Sequence, residues 1–310
     1  MFEILAWKKD EWDFVGRRRI AFAFSGVLML IGAVAIVQTV RGKAPMGIEF
    51  AGGLSMNVVL EKPVDVDRLR QVFGAVGIKE AQIQQAEIAT GQRLLIRLRE
   101  PGQEPAVRKA LEETSGGSAI TIEGIQEVGP AVGRKLQAQA AWAVFWAIVL
   151  IMVYIWARFE YRFGFAAAIA TIHDVVAIVG IMWLMQKDFT MMTVSALLTL
   201  AGYSLSDTVV VYDRIRENMR LRVRDSLAST INKSINDVLS RTSLTGVTSL
   251  FTLVALLVYG SLVTFDFALA LSLGVLIGTY SSWFVASPII IEWEDYRRKR
   301  ASEAALSHRR

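Results

Sequence analysis

The chain contains no cysteine, two histidines and six prolines in 310 residues. Without cysteine there is no disulfide framework and no thiol chemistry. Two histidines leave little for a metal centre or a histidine-based triad. No HExxH, GxSxG or Walker A pattern occurs either. The expectation is therefore a chain that is not an enzyme, holds no cofactor, and draws on a gradient or a partner for energy. A net charge of +5 raises the question of nucleic acid. The basic excess lies beside apolar runs, however, where lysine and arginine set membrane topology, so no nucleic-acid partner is expected.

What is abundant is apolar length. The chain is 53% hydrophobic and its mean hydropathy of +0.40 is high for a soluble domain. Runs long enough to cross a bilayer as helices fall at 20–40, 138–157, 163–185, 190–212, 242–262 and 266–291. The expected fold is an all-α six-helix transmembrane bundle with one α+β domain outside the bilayer, residues 41–137. Residues 1–19 end in Arg17-Arg18-Arg19, and the run that follows is too long for a signal core and lacks a small-x-small cleavage site. It is read as a retained first span.

Charge orients these spans. Arginines 17–19 precede the first. Arg158 and Arg162 separate the second and third. Arg214, Arg216, Arg220, Arg222, Arg224 and Lys233 crowd the segment 213–241, and Arg297, Arg298, Lys299 and Arg300 open the tail 292–310. The opposite short loops offer only Lys187. Both termini are therefore expected in the cytoplasm, with 41–137 periplasmic or extracellular, because a long loop translocates regardless of its charge.

Within 41–137 the pattern reads strand, helix, strand, strand, helix, strand. The strands are placed at Ser55–Leu60, Ala81–Ile88, Arg93–Arg99 and Ile120–Ile125, with a turn at Thr90-Gly91. The helices open at Pro63-Asp65 and at Pro105. That order is the ferredoxin-like unit. Two glycine clusters, Gly47–Gly53 and Gly129–Gly133, bracket it. They match no phosphate-binding fingerprint and are read as turns.

Ionisable residues inside spans mark ion pathways or coupling devices by default. Span four carries Tyr203, Ser204, Asp207 and Thr208 on one helical face, and span five carries Arg241, Thr245, Thr248 and Thr252 on another. Antiparallel neighbours would bring Asp207 and Arg241 to similar depth. A carboxylate beside arginine stays ionised, so a change of pairing could load and release a proton. His173 and Asp174 in span three are either a proton relay or a packing hydrogen bond. Gly274 and Gly278 form a small-xxx-small face, for close approach within the bundle or against a partner.

The segments GIEFAGG, EVGPAVGRKL, ATIHDVV and LAGYSLSDTVVVYDRIREN, in this order and spacing, resemble the SecF family over residues 17–291. The resemblance implies a resistance-nodulation-division membrane fold whose six spans pair with six of a SecD-like subunit. It implies an inner-membrane protein that uses the proton motive force to promote export. Its implied partners are the SecYEG channel, SecA, accessory proteins of the YajC/YidC type, and unfolded preprotein. The family's proton-path aspartate and arginine fall on Asp207 and Arg241; a further essential carboxylate belongs to SecD. A proton-driven exporter of small molecules or lipids of the same superfamily is the competing reading, disfavoured because such proteins usually carry two large loops on twelve spans.

Overall fold

The structure, a computed structural model, describes residues 11–78, 81–88, 91–221 and 224–307. Residues 1–10 of the N-terminal segment, Thr90 of the expected turn, Arg222 of the basic segment and the last three residues of the tail lie outside the described residues.

Helix α1 (Arg18–Val40) is followed by a single turn, α2 (Ile48–Ala51). Then come β1 (Gly53–Leu60), α3 (Val66–Ala75), β2 (Ala81–Ile88), β3 (Gly91–Leu98), α4 (Glu104–Ser115) and β4 (Ile120–Val128). The order of strands and helices is the one the alternation predicts. The sheet runs β2-β3-β1-β4 with every neighbouring pair antiparallel. Asp65 caps α3 by accepting a hydrogen bond from the Asp67 amide, and Pro105 sits in the first turn of α4, where its missing N–H costs nothing.

Period-two alternation puts Leu54, Met56, Val58 and Leu60 of β1 and Leu94, Ile96 and Leu98 of β3 on one face. They pack there against Leu69 and Phe73 of α3 and Val107 and Leu111 of α4. Leu95 points to the opposite face of β3. It too is buried, so β3 is covered on both faces. In β4 a bulge between the Asn57–Gly124 and Val58–Ile122 pairs makes Glu123 the extra residue. Glu123 thereby reaches Arg93 and Asn57, each at 2.9 Å.

The bundle continues with α5 (Pro130–Arg158), α6 (Tyr161–Leu184), α7 (Met191–Leu221), α8 (Leu227–Tyr259) and α9 (Leu262–Ser281). A π turn (Ser282–Ala286) and α10 (Ser287–Ser307) complete the described chain. With α1, six stretches are long and apolar enough to cross a membrane, in the expected order. Four of them outrun the expected spans by a turn or more, the sixth beginning at Leu262 and running on through α10. α5 begins at Pro130, α7 continues to Leu221, and α8 starts at Leu227, where Ser226 caps it. Segment 213–241, expected as a connection, is thus mostly helix. Hydropathy marks where the bilayer ends, not where helical hydrogen bonding ends.

The two glycine clusters part company. Gly52 and Gly53 have φ of 84° and 131°, backbone that side chains resist, and they make the expected turn into β1. Gly133 is helical instead. It lies against the carbonyl of Phe50, which also accepts a hydrogen bond from Gln137 Nε2 at 2.8 Å, and so clamps α2 onto α5. Gly274 and Gly278 face Leu200 and Ser204 of α7. Their small-residue face is therefore used inside this chain, between α7 and α9, and not against a partner.

The π turn also has a local cause. Pro288 has no N–H for the carbonyl of Phe284, and its ring would crowd that oxygen in a regular α-helix. The wider turn just before it absorbs the misfit, and Ser287 Oγ donates to the Ser282 carbonyl at 2.8 Å.

Candidate functional site

Two apolar clusters fill the bundle. One, toward the sheet, contains Val175, Ile178, Leu197, Leu200 and Leu271. The other, toward the opposite end, contains Phe163, Ala170, Val211, Tyr212 and Val285. Between them lies a polar layer, because α6, α7 and α9 each place hydrophilic residues at the same level.

On α6, His173 Nδ1 and Asp174 Oδ1 lie 2.9 Å apart, both residues buried. Ser204 Oγ of α7 donates to Asp174 Oδ2. Three residues further along the same face of α7, Asp207 is buried and accepts from Thr279 Oγ1 of α9 at 3.5 Å. Thr208 and Ser282 hydroxyls meet at 3.1 Å, and Ser282 Oγ donates to the Gly278 carbonyl at 2.9 Å. Two carboxylates on adjacent helices are thus held at one level by hydroxyls, Asp174 by Ser204 and Asp207 by Thr279. His173 Nε2 is buried without a hydrogen-bond partner among the described residues. Such an atom costs about 1–3 kcal/mol in a dry interior.

Asp207 and Arg241 are not paired. Arg214 meets Asp237 at 2.8 Å and Asn218 meets Ser234 at 3.0 Å, which fixes the antiparallel register of α7 against α8. Continuing that register sets Asp207 level with Thr245, and Arg241 about one turn, roughly 6 Å, nearer the far end. The face of α8 turned to the bundle carries buried Thr242 and Gly246, so Arg241 points outward and is exposed. Thr245, Thr248 and Thr252 share its face and satisfy their hydroxyls on their own helix: Thr245 Oγ1 donates to the Arg241 carbonyl at 2.9 Å. The structure therefore brings Asp207, Ser204, Thr208, His173 and Asp174 together and leaves Arg241 and Thr245 on an open face.

A second cluster lies at the sheet end. Arg97 of β3 reaches Asp188, in the α6–α7 loop, at 2.9 Å; the two side chains are 12% and 6% exposed. Arg97 also stands 4.0 Å from Asp266 of α9, which Lys187 approaches to 3.5 Å. Beside these charges the Gly47 amide donates to the Phe189 carbonyl at 2.7 Å, and the Phe189 amide to the Pro45 carbonyl at 3.0 Å. The loop joining the two carboxylate-bearing helices is thus fastened to the sheet module by buried ions and backbone hydrogen bonds.

Residues 106–296 match the family described as protein export membrane protein SecD/SecF, C-terminal. The protein translocase subunit SecF of Thermodesulfovibrio yellowstonii is 43% identical over 295 residues, covering 94% of this chain and 97% of that one. The chain belongs to the SecF family. The SecF subunit of Magnetococcus marinus is 41% identical over 307 residues, covering 96% of this chain and 97% of its own. Among solved structures, the crystal structure of SecDF from Thermus thermophilus, a translocon-associated membrane protein, superposes with a TM-score of 0.79 at 34% identity over 93% of this chain. SecDF in its super-membrane-facing form gives 0.69 at the same identity. The chain spans 39% of the first SecDF chain and 40% of the second. Membership makes this a multi-pass membrane subunit of protein transport, and its six apolar helices are its spans.

The sequence reading did not single out Thr279, Ser281 and Ser282 as site residues, nor Arg97, Asp188 and Asp266. The α9 hydroxyls had a signal: three of four consecutive positions from Thr279 to Ser282 are Thr or Ser. Arg97 had none, because its partners are 91 residues and more away in the chain.

Proposed function

We propose that this chain is the SecF-like half of a Sec accessory complex that uses the proton motive force, together with a SecD-like subunit, to promote SecYEG- and SecA-dependent export of unfolded preprotein. It is a coupling subunit and not an enzyme. Both termini lie in the cytoplasm. Residues 41–137 form a periplasmic domain whose β2-β3-β1-β4 sheet we read as ferredoxin-like.

One observation carries this reading. The helices holding the buried carboxylates, α6 and α7, share a loop that grips the sheet module through Arg97 and Asp188. In this account Asp207 is the protonated site. As a carboxylate it only accepts from Thr279; once protonated it also donates, and its attraction for a cation is gone. α7 and α9 touch through Ser204 and Gly278, so a change at Asp207 is felt across that contact and along α7 to the loop. His173, Asp174 and Ser204 are the adjoining relay, and Tyr203 and Thr208 its lining.

Arg241 belongs to the same site once the partner is present. Ser195, Thr199, Gly202 and Ser206 on α7, and Arg241, Thr245, Thr248 and Thr252 on α8, are exposed. Polar stripes of this kind do not face hydrocarbon, which is a costly environment for an arginine. A six-span SecD-like subunit covering both stripes would confine Arg241 beside Asp207 and the partner's own carboxylate.

Purification from native membranes tests this. The chain should emerge with a six-span SecD-like protein. Single cysteines at Thr245 and Thr248, interpretable because the natural chain has none, should be shielded from a water-soluble thiol reagent in the assembly. A stable, active assembly of this chain alone, with those positions labelled, would contradict the proposal.

A further inference from the structure

At the end of the bundle opposite the sheet, the α5–α6 turn and the outer part of α7 enclose a cleft of about 440 Å³. Arg158, Phe159, Phe163, Arg216, Met219 and Arg220 line it. Its charge is not balanced. Arg158 stands 3.6 Å from Asp213, and Glu160, also in the cleft wall, is taken by Arg162 at 2.8 Å. Arg216 and Arg220 form no ion pair among the described residues, yet they share one face of α7 at i, i+4. Like charges so placed repel, and an anion between them would relieve the repulsion.

Depth identifies the anion. Tyr212 meets the rings of Phe159 and Phe163 edge-on, at 6.2 and 5.0 Å between centroids, at the end of the apolar core. Arg216 and Arg220 follow one and two helical turns beyond it, about 6 Å per turn. Arg216 thus falls within the layer of lipid headgroups, which adds roughly 5–8 Å to each side of the hydrocarbon, and Arg220 lies just past it, where its long side chain can turn back toward a phosphate. Below the cleft, α5 exposes Val153 and Trp156, an apolar strip that continues from the floor of the cleft.

We infer that this cleft binds the headgroup of an anionic phospholipid. The phosphodiester accepts hydrogen bonds from the guanidinium groups of Arg216 and Arg220, whose planar donors suit two oxygens at once. The glycerol and first methylenes rest on Met219 and the rim of Phe159, and an acyl chain runs down α5. A basic pocket between spans at the membrane boundary is the setting in which lipid phosphate is recognised.

The test uses the full-length chain in detergent and native mass spectrometry with phosphatidylglycerol and phosphatidylcholine of identical acyl chains. Phosphatidylglycerol should be retained at concentrations where phosphatidylcholine is lost. Arg216→Gln with Arg220→Gln should weaken phosphatidylglycerol about 10- to 30-fold. Lys299→Gln with Arg300→Gln, on α10, should change it less than about twofold. Millimolar inorganic phosphate, and a polyglutamate peptide, should leave the lipid bound. Equal retention of both lipids by the unaltered chain would overturn the inference whatever the variants do. So would equal loss in the α10 variant. Displacement by phosphate would point to a free anion, and displacement by polyglutamate to an acidic polypeptide; either overturns it too.

Discussion

Arg97 offers the sharpest test of how the sheet module is held. Its guanidinium is the main cation facing Asp188 and stands 4.0 Å from Asp266, in a junction largely shielded from solvent. Replacing it with methionine keeps much of the volume but strands Asp188 as a buried charge. Breaking one side of such a pair typically costs about 3–5 kcal/mol. Lys187 remains 3.5 Å from Asp266 and compensates that carboxylate, so the lower end, about 3 kcal/mol, is expected. The loss falls on the junction and not on the module's own core, which is packed by Leu69, Phe73 and their neighbours on the other face.

Hydrogen exchange separates the two. The amides of Gly47 and Phe189 bond across the junction, and about 3 kcal/mol of local opening energy corresponds to a roughly hundredfold faster exchange there. Amides of β1 and β3 should not change. Arg97→Met with Asp188→Asn removes both charges and should restore most of the protection. Unchanged exchange at Gly47 and Phe189, or acceleration spread evenly over the sheet, would refute the junction argument.

Other consequences are simpler. Gly278→Val places a branched side chain against Ser204 and should lower the thermal resistance of the detergent-solubilised chain by an amount equivalent to about 1–3 kcal/mol. Leu276→Val, on the exposed side of α9, should do little. Leu69→Ala empties part of the module core and should cost about 2–5 kcal/mol, read as faster exchange throughout β1 and β3 while Gly47 and Phe189 keep their protection. A reporter active only outside the cytoplasm should work when fused near residue 100 and fail near residue 225; the reverse would cancel the proposed orientation.

The sequence disclosed what local physics dictates. Apolar runs of membrane length located all six long helices, and alternation in Leu94, Ile96 and Leu98 located β3 and its core face. The polar faces of α6 and α7 were legible because charge is conspicuous in apolar surroundings. What stayed hidden depends on neighbours remote in the chain. Arg97 looks like an ordinary outward strand residue until Asp188 and Asp266 arrive beside it. Arg241 and Asp207 looked like partners because each lies on a polar stripe, but one position of offset on α8, about 100° of rotation, turns Arg241 away. The π turn was missed because a periodic reading of 266–291 has no term for the carbonyl that Pro288 displaces.

In the proposed function, protonation of Asp207 couples the gradient to export. The direct measurement is preprotein export by membrane vesicles, with and without an imposed proton gradient, comparing the unaltered chain with Asp207→Asn assembled to equal levels with its partner. Asparagine preserves shape and can still accept from Thr279 but cannot exchange a proton. Loss of the gradient's stimulation with basal export intact is the predicted result. An Asp207→Asn complex stimulated as fully as the parent would contradict the account and move the coupling site to Asp174 and His173.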